Sequence, residues 1–226
     1  MMNSMDNWKH LGKLWIYWTA ATTVMGALAY PLIVGLASLL GGWPIGYWVS
    51  VPVGGGLVGL GIGYWQKRML RAHVQVPRTW VGMTGVGWGV GFGLVVGGSV
   101  WFLGYAKTMQ AWYALTIYLI TAGFGGALSG MGQFGLLKRR FEKAVWWLMA
   151  CAVGSLLAWL VIVGMWYFLG QGADFPSQLS QFPAMLVLGG LAGWMMGMEQ
   201  GVALVGLIAQ EQWERERRSE PPMIEF

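Results

Sequence analysis

The chain has 226 residues, of which 56% are hydrophobic and only 10% are charged, with 37 glycines and 16 tryptophans. That composition excludes an ordinary soluble domain, in which about a quarter of the residues are charged. A net charge of +5 would suit a nucleic acid or an acidic partner. Here, however, the basic residues are confined to alternate connections between apolar runs, so no nucleic-acid partner is predicted.

A membrane-crossing helix needs about 20 mainly apolar residues to traverse roughly 30 Å of hydrocarbon. Six such runs are present, at Leu14–Leu40, Tyr47–Gln66, Thr79–Ala106, Trp112–Leu137, Val145–Gly170 and Pro183–Ala209. They predict an all-α integral membrane protein with one membrane domain over residues 1–226 and a charged tail at 210–226. The first run has a basic start and the small-residue sequence Ala27-Leu28-Ala29, which resembles a signal peptide. It continues apolar to Leu40, too long for a signal core, and is read as a span.

The connections fix the expected orientation. Lys9 and Lys13 precede the first run, and Lys67, Arg68, Arg71 and Arg78 lie between the second and third. Lys138, Arg139, Arg140 and Lys143 lie between the fourth and fifth, and Arg215, Arg217 and Arg218 follow the sixth. Only Lys107 falls on the other side. Basic residues mark the cytoplasmic face, so both termini are predicted to be cytoplasmic, in a bacterial-type plasma or internal membrane.

Tryptophan prefers the headgroup level. Trp8, Trp15, Trp65, Trp80, Trp146, Trp147 and Trp213 fall at predicted inner boundaries, and Trp43, Trp48, Trp101, Trp112 and Trp166 at outer ones. Trp88, Trp159 and Trp194 are read as deeper packing residues.

Superposing Gln66, Gln133 and Gln200, each 67 residues from the next, reveals an internal repeat. Gly63, Gly130 and Gly197 stand three residues before each glutamine. Gly59, Gly126 and Gly193 stand seven before, and Gly56, Gly123 and Gly190 ten before. Leu70, Leu137 or Leu204 follows four residues later. Trp80 and Trp147 share the same spacing, and Trp15 is taken as their counterpart in the first run. The expected architecture is therefore three tandem two-helix repeats around a pseudo-threefold axis along the membrane normal.

Offsets of ten, seven, three and zero place these glycines and the glutamine on one helix face. Small-residue stripes let helix backbones approach closely in lipid, and side-chain amides bond between helices. The nine glycines are thus predicted packing residues, and Gln66, Gln133 and Gln200 a polar cluster. Glu199 is added to that cluster because an ionisable group at membrane depth is a functional candidate; beside the glutamine level it is within reach of headgroups or of a basic connection such as Arg68 or Arg139, while the apolar run on to Gln210 is compatible with a deeper position.

Catalysis requires converging titratable or nucleophilic groups, and the apolar runs carry almost none. His10 and His73 both lie in predicted cytoplasmic segments, which disfavours haem or pigment ligation, and Cys151 is read as a packing residue. No catalytic residue, metal site or cofactor is predicted. Ser129-Gly130 on a six-helix chain resembles an intramembrane serine protease, but a membrane histidine is missing and Ala127 stands where that family needs glycine. The three two-helix units resemble mitochondrial-type carriers in architecture only. Two functional expectations follow. One is a non-catalytic accessory or scaffold subunit of a larger membrane complex or homo-oligomer; the other is a small-solute or lipid transporter or channel.

Overall fold

The computed structural model describes residues 4–40, 45–73, 75–106, 111–169 and 182–219. Among them are six α-helices and no strand: α1 (Ser4–Leu39), α2 (Ile45–Leu70), α3 (Trp80–Ala106), α4 (Ala111–Leu137), α5 (Val145–Leu169) and α6 (Phe182–Ser219). Two stretches, Lys9–Leu39 of α1 and Leu186–Glu214 of α6, are long and apolar enough to cross a membrane. Lys107, Trp43 and the terminal Met223–Phe226 lie outside the described residues, as do the side chains of Trp8, Trp101, Trp112, Trp166, Arg215 and Arg218.

The two end helices outrun their apolar cores. α1 begins at Ser4, ahead of the apolar stretch from Leu14, and α6 continues to Ser219 through a charged last section. Gln210 Nε2 donates to Glu214 Oε1 at 2.7 Å, one turn on, and the Arg217 guanidinium lies 4.5 Å from the Trp213 ring. Such local pairs hold a polar helix together in water.

Each helix packs on its two chain neighbours, and α6 packs on α1, so the described residues form a closed ring of six helices. Neighbours run antiparallel. Gly63, Gly59 and Gly55 of α2, for example, face Thr84, Trp88 and Phe92 of α3 in turn.

Interior positions on the even helices recur every fourth residue: Val58, Ile62, Gln66 and Leu70 on α2; Gly125, Ser129, Gln133 and Leu137 on α4; Ala192, Met196, Gln200 and Leu204 on α6. Four-residue spacing keeps side chains on one helix face. At the end of the ring near the 71–79 and 138–144 connections, Leu70, Leu137 and Leu204 join Trp18, Trp80, Trp147, Leu14 and Phe141 in one core. A second core, farther along, contains Val58, Ile62, Trp88, Ala158 and Met196.

The outer surface is apolar. Ile16, Val24, Val49, Leu57, Val86, Val90, Ile120, Phe124, Met149, Val153, Val187 and Val202 are exposed, and together they represent all six helices.

Candidate functional site

The three glutamines are among the most enclosed residues of the chain, with 1%, 2% and 1% of Gln66, Gln133 and Gln200 accessible. Gln133 Nε2 donates to Gln66 Oε1 at 2.7 Å and to Thr84 Oγ1 at 2.8 Å. Gln200 Nε2 lies 3.5 Å from Cys151 Sγ. Thr84 in turn donates to the Trp80 carbonyl at 2.8 Å, and Thr22 to the Trp18 carbonyl at 2.9 Å. This back-bonding to the preceding turn is how a hydroxyl inside a helix is satisfied.

The indoles lie against this layer. Trp18, Trp80 and Trp147 are 0%, 2% and 0% exposed, and each stands one helical turn before Thr22, Thr84 or Cys151. Trp18 and Trp147 meet edge to face, with ring centroids 5.7 Å apart at 88°. Trp80 and Trp147, at the starts of α3 and α5, therefore face the core and not outward as a belt would. In α1 the core position belongs to Trp18. Trp15 is only half-buried and donates to the Met198 carbonyl at 3.3 Å, outside the core. Trp88 is buried and stacked on Phe92, whereas Trp194 is 42% exposed and faces outward.

The glycine columns divide. A Cβ on Gly59 would sit 2.6 Å from Trp88 Cβ, one on Gly63 2.8 Å from Thr84 Cβ, and one on Gly130 2.6 Å from Cys151 Sγ. A Cβ on Gly126 would run into Ser155 and the Cys151 carbonyl, one on Gly193 into the Thr22 carbonyl, and one on Gly197 would sit 2.9 Å from the Thr19 Cα. These six lie on the seam with the next helix of the ring and not on the axis. Gly56, Gly123 and Gly190 have nearest neighbours at 3.6, 3.9 and 3.7 Å, ordinary contact distances, although the α2–α3 and α6–α1 backbones stay close beside them: a Cβ on Gly89 would sit 2.9 Å from the Pro52 carbonyl oxygen, and one on Gly189 would run into the Gly26 carbonyl.

Glu199 does not join the amides. It is partly exposed on the seam with α5, its Cβ 3.4 Å from where Gly154 would carry one, and it has no hydrogen bond or ion pair among the described residues. It pairs with neither Arg68 nor Arg139. Successive helical residues point about 100° apart, so Gln200 faces inward and Glu199 does not. Arg140 instead bonds Glu211 at 3.1 Å, tying the 138–144 connection to α6.

His73, in the connection after α2, is held below the ordinary imidazole pKa, first by partial burial and then by the charge of His10. The indole layer was missed by sequence reasoning, because tryptophans near a predicted boundary read as a belt. The Trp-x-x-x-Thr or Trp-x-x-x-Cys spacing at Trp18, Trp80 and Trp147 was the available signal, but Trp15 and Trp112 share it, so it does not single these three out.

No protein-family model matches this chain, and no characterised protein or solved structure resembles it closely enough to lend it a fold or a function.

Proposed function

We propose that the chain is a multi-pass membrane protein of six spans, built as three tandem two-helix units about a pseudo-threefold axis, with both termini cytoplasmic. Its role is that of a non-catalytic accessory or scaffold subunit of a larger membrane assembly. The observation that carries this reading is the inverted polarity of the helix ring. Gln66, Gln133, Gln200, Thr22, Thr84, Ser129 and Ser155 are buried, while Val, Leu, Ile, Phe and Met side chains line the outside. Water would drive the opposite arrangement, whereas hydrocarbon accepts an apolar exterior and favours internal satisfaction of polar groups.

Length supports the same reading. The shortest helix has 25 residues, or about 37 Å at 1.5 Å per residue, enough for a hydrocarbon core of roughly 30 Å. The scaffold role is favoured by seams so tight that six glycines admit no methyl group, and by a plug of three tryptophans and three leucines at one end of the ring. A solute transporter is the second reading, favoured by the buried amide layer.

Purification of the tagged protein from its native membrane in mild detergent tests the proposal. Stoichiometric partners, identified by mass spectrometry and matched by native-gel size, are expected. A lone particle of one chain would overturn the subunit role.

A further inference from the structure

Among the described residues, six buried side-chain atoms have no hydrogen-bond partner: Trp18 Nε1, Trp80 Nε1, Trp147 Nε1, Gln66 Nε2, Gln200 Oε1 and Thr19 Oγ1. They are not scattered. The three indoles share one core, Gln133 joins Gln66 to Thr84 one turn from Trp80, and Gln200 reaches Cys151 one turn from Trp147. A buried polar group is costly to leave without a partner, so a cluster of them calls for an occupant.

The chemistry of the unpaired atoms selects the ligand. Indole nitrogen is a donor only, and an amide nitrogen carries two hydrogens. Three indole N–H groups and the two hydrogens of Gln66 therefore seek acceptors, against a single unpaired carbonyl oxygen and one hydroxyl. Water could serve these donors only by passing its own hydrogens on to second lone pairs of carbonyl and hydroxyl oxygens that are already bonded. An anion accepts from several donors and donates to none. Hydrogen bonds to an ion are roughly twice as strong as neutral ones, and more so in a low-dielectric interior. The one carboxylate nearby in sequence, Glu199, lies on the α5 seam and not in the layer.

We propose that the donors of the indole and amide layer, Trp18, Trp80, Trp147 and Gln66, bind a small monovalent anion of the halide class. The inference uses only contacts inside the bundle and holds whether the chain is a subunit or acts alone.

The test uses the full-length protein in detergent micelles, labelled with 15N at the tryptophan indoles, with bromide replacing gluconate at constant ionic strength. Trp18→Phe, Trp80→Phe and Trp147→Phe assign the three resonances. These three are expected to shift together and saturate, while those of the exposed Trp194 and Trp213 stay in place. Gln66→Leu should raise the half-saturating bromide concentration about tenfold, the loss of one hydrogen bond to a charged group. Identical spectra in bromide and gluconate would overturn the proposal in favour of water or a dry cluster. A linear drift of all the indoles together would overturn it as a bulk salt effect. The wild-type titration decides the matter even if a variant fails to fold.

Discussion

Gln133 donates from one amide nitrogen to Gln66 Oε1 at 2.7 Å and to Thr84 Oγ1 at 2.8 Å, so a single side chain links α4 to both α2 and α3. The two partners of the amide pair are not equivalent. Gln66 Nε2 has no acceptor, whereas Gln133 Nε2 has two.

That asymmetry predicts unequal mutational costs. Gln133→Leu removes two buried hydrogen bonds, at about 0.5–1.5 kcal/mol each. Gln66→Leu removes one bond and also an unpaired buried nitrogen, so its cost should be under about 1 kcal/mol. Reversible unfolding in mixed micelles measures both, and equal losses would contradict the geometry.

Substitutions at the glycines should split in the same way as their contacts. Gly59→Ala, Gly126→Ala and Gly193→Ala force neighbouring backbone apart and should each cost about 1–3 kcal/mol. Gly56→Ala and Gly123→Ala place a methyl at ordinary contact distance. They should be neutral or stabilising by up to about 1 kcal/mol, since alanine is the better helix former. Thermal unfolding of the five variants reads the difference directly.

The recurrence of glycine and glutamine is legible in the sequence because identical residues stand 67 positions apart at several columns. Which glycines are tight is not, because contact depends on where each Cβ would point relative to the neighbouring helix, and Gly56 reads the same as Gly59 on a page. The tryptophans show the same limit. Trp80 and Trp147 are 67 apart, but Trp18 precedes Trp80 by only 62, so a strict period points to no tryptophan in α1 and the nearest candidate is Trp15. Burial, which depends on the phase of α1 against its neighbours, selects Trp18. The unpaired polar atoms were likewise invisible, since hydrogen-bond satisfaction is a property of three-dimensional neighbours.

The phase of α1 is testable by truncation. Trp18 is fully enclosed and meets Trp147 edge to face, so Trp18→Ala should cost about 3–5 kcal/mol. Trp15→Ala loses a half-buried ring and one 3.3 Å hydrogen bond, and should cost clearly less. The reverse order in denaturation midpoints would return Trp15 to the core.

His73 predicts a pH dependence. Burial and His10 hold its folded-state pKa below the ordinary imidazole value of 6.5, so on acidification the unfolded chain takes up the proton first. Where the unfolded state binds more protons, stability falls as pH falls. The loss should begin near pH 6.5 and be complete once the pH drops below the folded-state value. His73→Gln should flatten the melting temperature between about pH 7 and pH 5, and His10→Gln should flatten it less, because burial is the larger cause.

Cys151 is the chain's only cysteine and lies in the sealed layer, 0% exposed, beside Gln200 and Gly130. A thiol must meet solvent as thiolate to react, so enclosure by protein should keep Cys151 inert to a small charged thiosulfonate in native detergent and fully reactive after unfolding. Rapid modification of the native protein would mean that water reaches the glutamines in a second conformation. The plug of Trp18, Trp80, Trp147 and the three leucines would then be a gate, and a solute path would explain the buried amides better than a scaffold does. Slow modification at the rate of global unfolding would instead mean that the ring opens only when the whole fold is lost, as expected of a subunit whose interior exists to hold six helices together.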